Sequence, residues 1–375
     1  MGISLGLVGL GMFGSMFIEL FMKHPDVERL AICDVRKDRL EHYAKKYDIA
    51  ETYSSLDEIC QSDIEALAIF TQHWLHGPHV LKALKEGKHV LSAVPMAYSI
   101  DECISIVNMV KETGLIYMMG ETSYFRPESI FCRKKAEKGE FGEFIQCRAE
   151  YFHDVGEYPH GLWRVLINRW GDLWSLDKTG DPPMWYPSHS ICFPVSVMKA
   201  HMVEVSALGY IYPNDDFFRV DTIYRNPFCN ETALFKMSNG AVAIISEFRR
   251  IGGIEVERVS GIYGTEGSFE SNLAGAVWAD KRGKGILKPE ELKEWQLREP
   301  LPESLRPYVN VGHAGAEAYI VHEFVDSVNS NRLPRINAWE AARYCIPGFI
   351  AHQSALSGGR WFKIPDLGEP PAYRK

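Results

Sequence analysis

The sequence contains eight cysteines in 375 residues, yet no Cys-x-x-Cys pair. Cys33, Cys60, Cys103, Cys132, Cys147, Cys192, Cys229 and Cys345 are scattered, which argues against a zinc ribbon or a disulfide framework and for reduced, buried thiols. Long apolar runs are missing as well: no 18 consecutive apolar residues occur, so no membrane span is expected. Basic residues are not in excess. The formal charge is −8, and no basic stripe offers to neutralise phosphates, so a nucleic-acid partner is not expected. The apolar start MGISLGLVGLGMF has no Lys or Arg before Lys23, where a signal peptide needs one, and Gly6 stands where a myristoylation start needs Ser or Thr. These absences predict a cytoplasmic protein. Its length predicts two domains.

What the chain does have is a glycine turn in an informative place. Ile3 to Leu10 is an apolar run that breaks at Gly9-Leu10-Gly11-Met12-Phe13-Gly14 and resumes as SMFIELFMKH with helical spacing. Strand, glycine turn and helix is the context in which GxGxxG binds a dinucleotide. Gly9 permits the tight turn, Gly11 lets a pyrophosphate approach the backbone, and Gly14 lets helix and strand pack closely. The backbone of Met12 and Phe13 opens the helix, whose free N–H groups receive phosphate. A second apolar strand ends at Asp34, 20 residues after Gly14. A carboxylate there accepts both hydroxyls of an adenine ribose and repels a 2′-phosphate, which predicts NAD; Arg36 close by leaves NADP open.

The alternation continues with strands over 64–70, 89–92 and 115–120 and helices over 78–86 and 100–113. It predicts an α/β Rossmann domain with a doubly wound parallel sheet, its ligand beyond the carboxyl ends of the strands. Thr71, His73 and His76, and then Ala93, Val94 and Pro95, follow strand ends and are expected beside the nicotinamide half of the cofactor. His73, His76 and His79 are spaced by threes, but Gly77-Pro78 is expected to break the helix between them, so no metal site is predicted.

Several of these stretches resemble the Gfo/Idh/MocA oxidoreductases, the glucose–fructose oxidoreductase and inositol dehydrogenase group. Thr71-Gln72-His73-Trp74-Leu75-His76 is similar to its Thr-Pro-x-x-x-His turn, with Gln72 replacing proline. Ala83-Leu84 followed by Gly87-Lys88-His89-Val90, the turn Lys138-Gly139-Glu140-Phe141-Gly142, His313 to Asp326 and the closing ALSGGRWFKIPD also match. The resemblance implies a Rossmann domain over 1–122 and, over 123–375, an α+β domain with a large, mostly antiparallel sheet that binds substrate and makes a homo-oligomer, a dimer or tetramer. It implies hydride transfer between NAD(P) and a hydroxyl or keto group of a sugar, cyclitol or glycoside. A minority of such proteins use NAD transiently to cleave glycosides by oxidation and elimination.

The chain departs from the family pattern where the chemistry is expected. Family members carry a lysine in Glu-Lys-Pro, and here that position is Val94, which cannot donate, accept or carry a proton. Of the family's DxGxHxxD helix only His189 survives, with Trp185 and Cys192 in place of the acids. Oxidising an alcohol still requires a base within reach of the hydroxyl proton, and an imidazole titrates in the right range. His189 is therefore the expected acid/base, the alternative being a histidine that caps the helix it opens. Tyr186 and His153 are its expected partners; Tyr186 could equally be a packing residue. Strand alternation puts Tyr151 and His153 on one face.

Glu121, Tyr124 and Arg126 follow the last Rossmann strand, with Glu121 expected at the cofactor and Tyr124 and Arg126 at the substrate. A Glu121–Arg126 salt bridge is the alternative. Trp163 and Trp185 belong to an aromatic segment, 155–188, that would suit a sugar or pack as a small core under a loop. Three functions follow: an NAD(P)-dependent dehydrogenase acting on CH–OH, a redox-cycling NAD-dependent glycosidase or lyase, or a non-catalytic dinucleotide-binding protein.

Overall fold

A computed structural model describes residues 2–253 and 255–371, with backbone alone at 257–259. The chain divides into two compact units. The first gathers residues 1–126, 297–342 and 367–375, and the second 127–296 and 343–366. Residues 297–342 thus belong with the N-terminal unit, not with the rest of the 123–375 stretch. Among the described residues no helix is long and apolar enough to cross a membrane.

The first unit is built on a six-stranded parallel sheet of β1 (Ile3–Val8), β2 (Val27–Cys33), β3 (Thr52–Tyr53), β4 (Ala66–Ile69), β5 (His89–Ser92) and β6 (Tyr117–Met119). The order is β3-β2-β1-β4-β5-β6, which reverses direction between β1 and β4. These strands are short, nearly continuous apolar runs, as a sheet covered on both faces requires. The helix Ile100–Thr113 starts where Ser99 accepts the Glu102 N–H at 3.2 Å and stops at Gly114, φ +69°. The helix His76–Lys85 begins earlier than the sequence suggested. Gly77 and Pro78 do not break it but lie in its first turn, where a proline's missing N–H has no intrahelical partner to lose.

The helix Ala316–Asn329, late in the chain, is part of this unit. Ile320 and Phe324 are fully buried, Ile320 packs against Gly120, and the Tyr319 ring lies parallel to Phe125 at 6.1 Å. That packing explains why the chain returns to its first unit.

The second unit carries a nine-stranded sheet made of β7 (Phe144–Phe152), β8 (Met202–Tyr210), β9 (Asn230–Met237), β10 (Val242–Phe248), β11 (Val256–Gly264), β12 (Gly267–Asn272), β13 (Gly275–Asp280), β14 (Gly283–Leu287) and β15 (Phe362–Lys363). The order is β14-β13-β12-β11-β7-β10-β9-β8-β15, antiparallel except for the β7–β10 pair. Strands β9 and β10 alternate strictly between buried and more exposed residues, so one face is covered and one is open. The helix Ser188–Met198 is buried along its whole length, as its nearly uninterrupted apolar and small residues demand. It packs against β7, β10 and β11.

Candidate functional site

In the first unit the glycine turn makes a cradle. Gly9 has φ +94°, and a Cβ there would come within 2.6 Å of the Phe70 carbonyl oxygen at the end of β4. A Cβ on Gly14 would lie 2.1 Å from the Gly9 carbonyl oxygen, so this glycine is required by the close approach of two backbone segments. Gly11 is different: its Cβ would meet nothing within 4 Å. The space beside Gly11 is open, which fits a group that approaches the backbone from outside, as a pyrophosphate does. The chain resumes as a helix one turn later, with the Ser15 N–H bonded to the Gly11 carbonyl at 2.9 Å. The Met12 side chain points into solvent, while the Phe13 ring packs between Phe17, Phe70 and His313.

Asp34 closes the other side of the cradle. Its two oxygens accept the backbone N–H groups of Leu10 at 2.7 Å and Arg36 at 2.8 Å. These bonds fix the carboxylate and leave each oxygen a further lone pair, the arrangement a ribose diol needs. The Arg36 guanidinium is bonded to Asp38 at 2.6 Å. The residues present therefore fit an NAD molecule: the glycine turn for its pyrophosphate and Asp34 for its adenosine ribose.

Further along the strand ends, His76 is fully buried and its two ring nitrogens lie 2.7 Å from the Pro95 carbonyl oxygen and 3.0 Å from that of Thr71. It thus joins the turn after β4 to the turn after β5. A neutral imidazole has one N–H and can donate to one of the two carbonyls. The Thr71 hydroxyl meets His79 at 3.1 Å, and His73 packs edge-on to His76 at 5.8 Å. Ala93, Val94 and Pro95 are buried there, with Val94 offering only its methyls. Glu121 caps the short helical turn Thr122–Phe125 by accepting the Ser123 N–H at 2.8 Å. Tyr124 and Arg126 are half-buried beside it.

The second unit assembles a different set. His189 is in the first turn of the helix Ser188–Met198, whose N-cap residue, Pro187, makes no side-chain cap. Tyr186 lies before the helix, at the end of the turn Pro183–Trp185, yet its ring still reaches to 5.1 Å from His189. Tyr151 of β7 is closer, at 4.8 Å, and its hydroxyl meets His153 Nδ1 at 3.0 Å. Two phenols and two imidazoles, groups that all donate and accept protons, therefore share one cluster. Burial, followed by the positive charge of Arg249, holds His153 below the usual imidazole range. At neutral pH it is an uncharged ring able to accept a proton.

Three members of this cluster were not singled out by sequence. Glu247 of β10 is fully buried and is bonded to the Ser190 hydroxyl and, at 3.0 Å, to Arg249. The Arg249 guanidinium carbon lies 4.8 Å from the centre of the Tyr151 ring. The signal was available: β10 alternates, and Glu247 falls in step with Ala243 and Ile245 on its buried side. Glu231 repeats the pattern in β9, where it binds His352 at 2.8 Å and the Met184 N–H at 2.9 Å.

Trp185 packs against Tyr224, Phe349 and His352. Trp163, 1% exposed, forms a small core with Val155, Leu166, Phe217, Phe218 and Cys229.

Residues 3–121 match the model of the oxidoreductase family with an NAD-binding Rossmann fold, GFO_IDH_MocA. Among curated proteins the chain is similar to an alpha-N-acetylgalactosaminidase of Bacteroides fragilis, 27% identical over 53% of this chain and 49% of that one. It thus spans about half the length of that relative. A glycosyl hydrolase family 109 protein of Streptomyces filamentosus is 24% identical over 97% of this chain and 77% of its own. Among solved structures, a levoglucosan dehydrogenase in complex with NADH and levoglucosan has a TM-score of 0.78 at 17% identity, covering 98% of this chain and 100% of that one. An aldose-aldose oxidoreductase from Caulobacter crescentus gives 0.73 at 18% identity, over 97% and 100%. At such identities the structures show a shared fold. With the glycine turn, the strand order and the family match together, residues 3–121 are the NAD-binding Rossmann domain of the Gfo/Idh/MocA oxidoreductase family.

Proposed function

We propose that this protein is an NAD-dependent enzyme that moves a hydride between the nicotinamide and a hydroxyl-bearing carbon of a sugar, cyclitol or glycoside. The observation that carries the reading is the intact dinucleotide cradle at Gly9, Gly11, Gly14 and Asp34 of the first unit; the second unit separately holds a cluster of His189, Tyr186, Tyr151 and His153. NAD, when bound, supplies the hydride acceptor. His189 takes the hydroxyl proton in place of the lysine that Val94 has replaced, and Tyr186 or His153 relays it. The Arg36–Asp38 ion pair supports NAD over NADP, because it occupies the cation a 2′-phosphate would use. Tyr124, Arg126, Trp163 and Trp185 are the proposed substrate side, with Trp163 acting through packing.

A redox-neutral reading is favoured by one specific observation, the glycosidase names of the curated relatives. It uses the same cofactor and base, but oxidation is followed by elimination and re-reduction, so no NADH accumulates. The proposal also places the protein in the cytoplasm as a dimer or tetramer, without a nucleic-acid partner. Leu208 and Leu234 on the open side of the large sheet support self-association.

The test is NADH formation followed at 340 nm over free sugars, cyclitols and aryl glycosides, with aglycone release read from the same samples. Loss of turnover by roughly a hundredfold or more in His189→Ala is expected for a general base. Aglycone release without NADH selects the redox-neutral reading. A His189→Ala enzyme as active as wild type sinks the assignment of the base.

A further inference from the structure

Glu247 has no part in the reading above, yet it is the most deeply buried acid next to the proposed base. It sits on the covered face of the large sheet, where register places it directly between Tyr151 of β7 and Glu231 of β9. Its carboxyl reaches two elements of the cluster. One oxygen meets the hydroxyl of Ser190, the residue that follows His189, and the other binds Arg249. Arg249 is held in turn by the carbonyls of Tyr151 at 3.2 Å and Phe248 at 3.1 Å, with its guanidinium against the Tyr151 ring.

We propose that Glu247 is a positioning residue for the Tyr151–His189 pair, anchoring the first turn of the His189 helix through Ser190 and fixing the Arg249 cation against Tyr151. The inference rests on the reading of His189 and its neighbours as the reacting groups.

The hydrogen bonds around Ser190 make the arrangement two-state. Its hydroxyl has one proton but two oxygens within reach, the Pro187 carbonyl at 3.0 Å and the Glu247 carboxyl. With Glu247 ionised, Ser190 donates to the carboxylate. With Glu247 protonated, the carboxylic acid donates to Ser190, and the hydroxyl turns to Pro187. Protonation therefore changes both the hold on the helix start and the charge that balances Arg249. Burial raises the Glu247 carboxyl to about 7, against the opposing pull of Arg249, Ser190 and His189. The titratable groups that face it are Tyr151 from β7, Glu231 from β9, His189 from the helix and Arg249 from its own strand. His352 lies beyond Glu231 and His153 beyond Tyr151.

The test reads Tyr151 ring resonances against pH in the full-length protein labelled at tyrosine, without substrate. A phenol does not ionise near neutrality, so a step there reports a neighbour. The step expected in wild type near pH 7 survives His153→Ala and vanishes in Glu247→Gln. If the step persists unchanged in Glu247→Gln, or no step exists in wild type, the proposal is overturned. Should Glu247→Gln not fold, Ser190→Ala decides: losing a bond that favours the carboxylate moves the step up by roughly half a pH unit or more. An unmoved step in Ser190→Ala overturns the link to the helix. Because no substrate is used, this outcome is independent of whether any sugar is turned over.

Discussion

At the scale of single residues, the glycine turn separates two demands that a sequence motif merges. Gly14 is required by the fold itself, since any Cβ would collide with a backbone oxygen that cannot swing aside. Gly11 is required only by what binds. Gly14→Ala is therefore expected to lose at least about 2 kcal/mol of stability, at the severe end for an overpacked site. Gly11→Ala is expected to stay within about 0.5 kcal/mol of wild type, as a substitution that touches nothing does. Its cost falls on the cofactor, whose dissociation constant should rise about tenfold or more, equivalent to at least about 1.4 kcal/mol. Urea unfolding and NAD titration calorimetry on the two variants check both halves. A Gly11→Ala protein that binds NAD as wild type does would mean that the pyrophosphate lies elsewhere.

At the scale of elements, what was legible depended on whether a pattern was local. The parallel strands and the helix Ile100–Thr113 announce themselves by apolar runs, a capping serine and a terminal glycine. His189 could be found by its motif, and the pairing of Tyr151 with His153 by strand alternation. Glu247 and Arg249 were passed over because a charged pair in a strand reads as solvent-facing until the register shows which side is buried. The interruption expected at Gly77-Pro78 failed for a related reason: proline breaks a helix interior, not its first turn.

Some contacts between elements lie beyond any local pattern. His24, at the C-terminus of the helix Phe17–Lys23, meets His322 of the helix Ala316–Asn329, Nε2 to Nδ1 at 3.1 Å. Because His24 Nδ1 accepts the Asp26 N–H at 3.1 Å, its Nε2 must carry the proton and donate to His322. Burial, then the neighbouring His322, pushes His24 down to about 4. In the unfolded chain the same ring binds its proton near 6.5, so the unfolded state takes up protons first. The contribution is complete above about pH 6.5 and is lost as pH falls towards 4, amounting to about 3 kcal/mol. Urea unfolding at pH 7.5, 6 and 5 should show wild type losing stability faster than His24→Gln. Parallel slopes would remove His24 from the acid response.

At the scale of the whole molecule, the unit built on the N-terminal sheet reaches beyond the family match, which ends near the sheet's last strand. That unit is completed by residues 297–342, which begin 171 positions after residue 126. The Met119 N–H donates to the Ile336 carbonyl at 3.0 Å, beside β6, and the Tyr308 hydroxyl donates to Glu19 at 2.6 Å. Ile320, Val321, Phe324 and Val325 are fully buried. Each such side chain contributes about 1.5–3 kcal/mol when removed from water, so four supply roughly 6–12 kcal/mol. That is the size of a domain's entire net stability, about 5–15 kcal/mol. A fragment of residues 1–126, which carries the complete glycine turn and Asp34, is thus expected to lack cooperative unfolding and to bind a hydrophobic dye. Calorimetry and dye fluorescence on the fragment check this, with the full-length chain as reference. A sharp melting transition in the fragment, with NAD binding retained, would show that the helix Ala316–Asn329 covers a unit already stable without it. The sequence signature of the cofactor site would then mark a folding unit as well as a binding one, whereas the packing described here assigns those two roles to different lengths of chain.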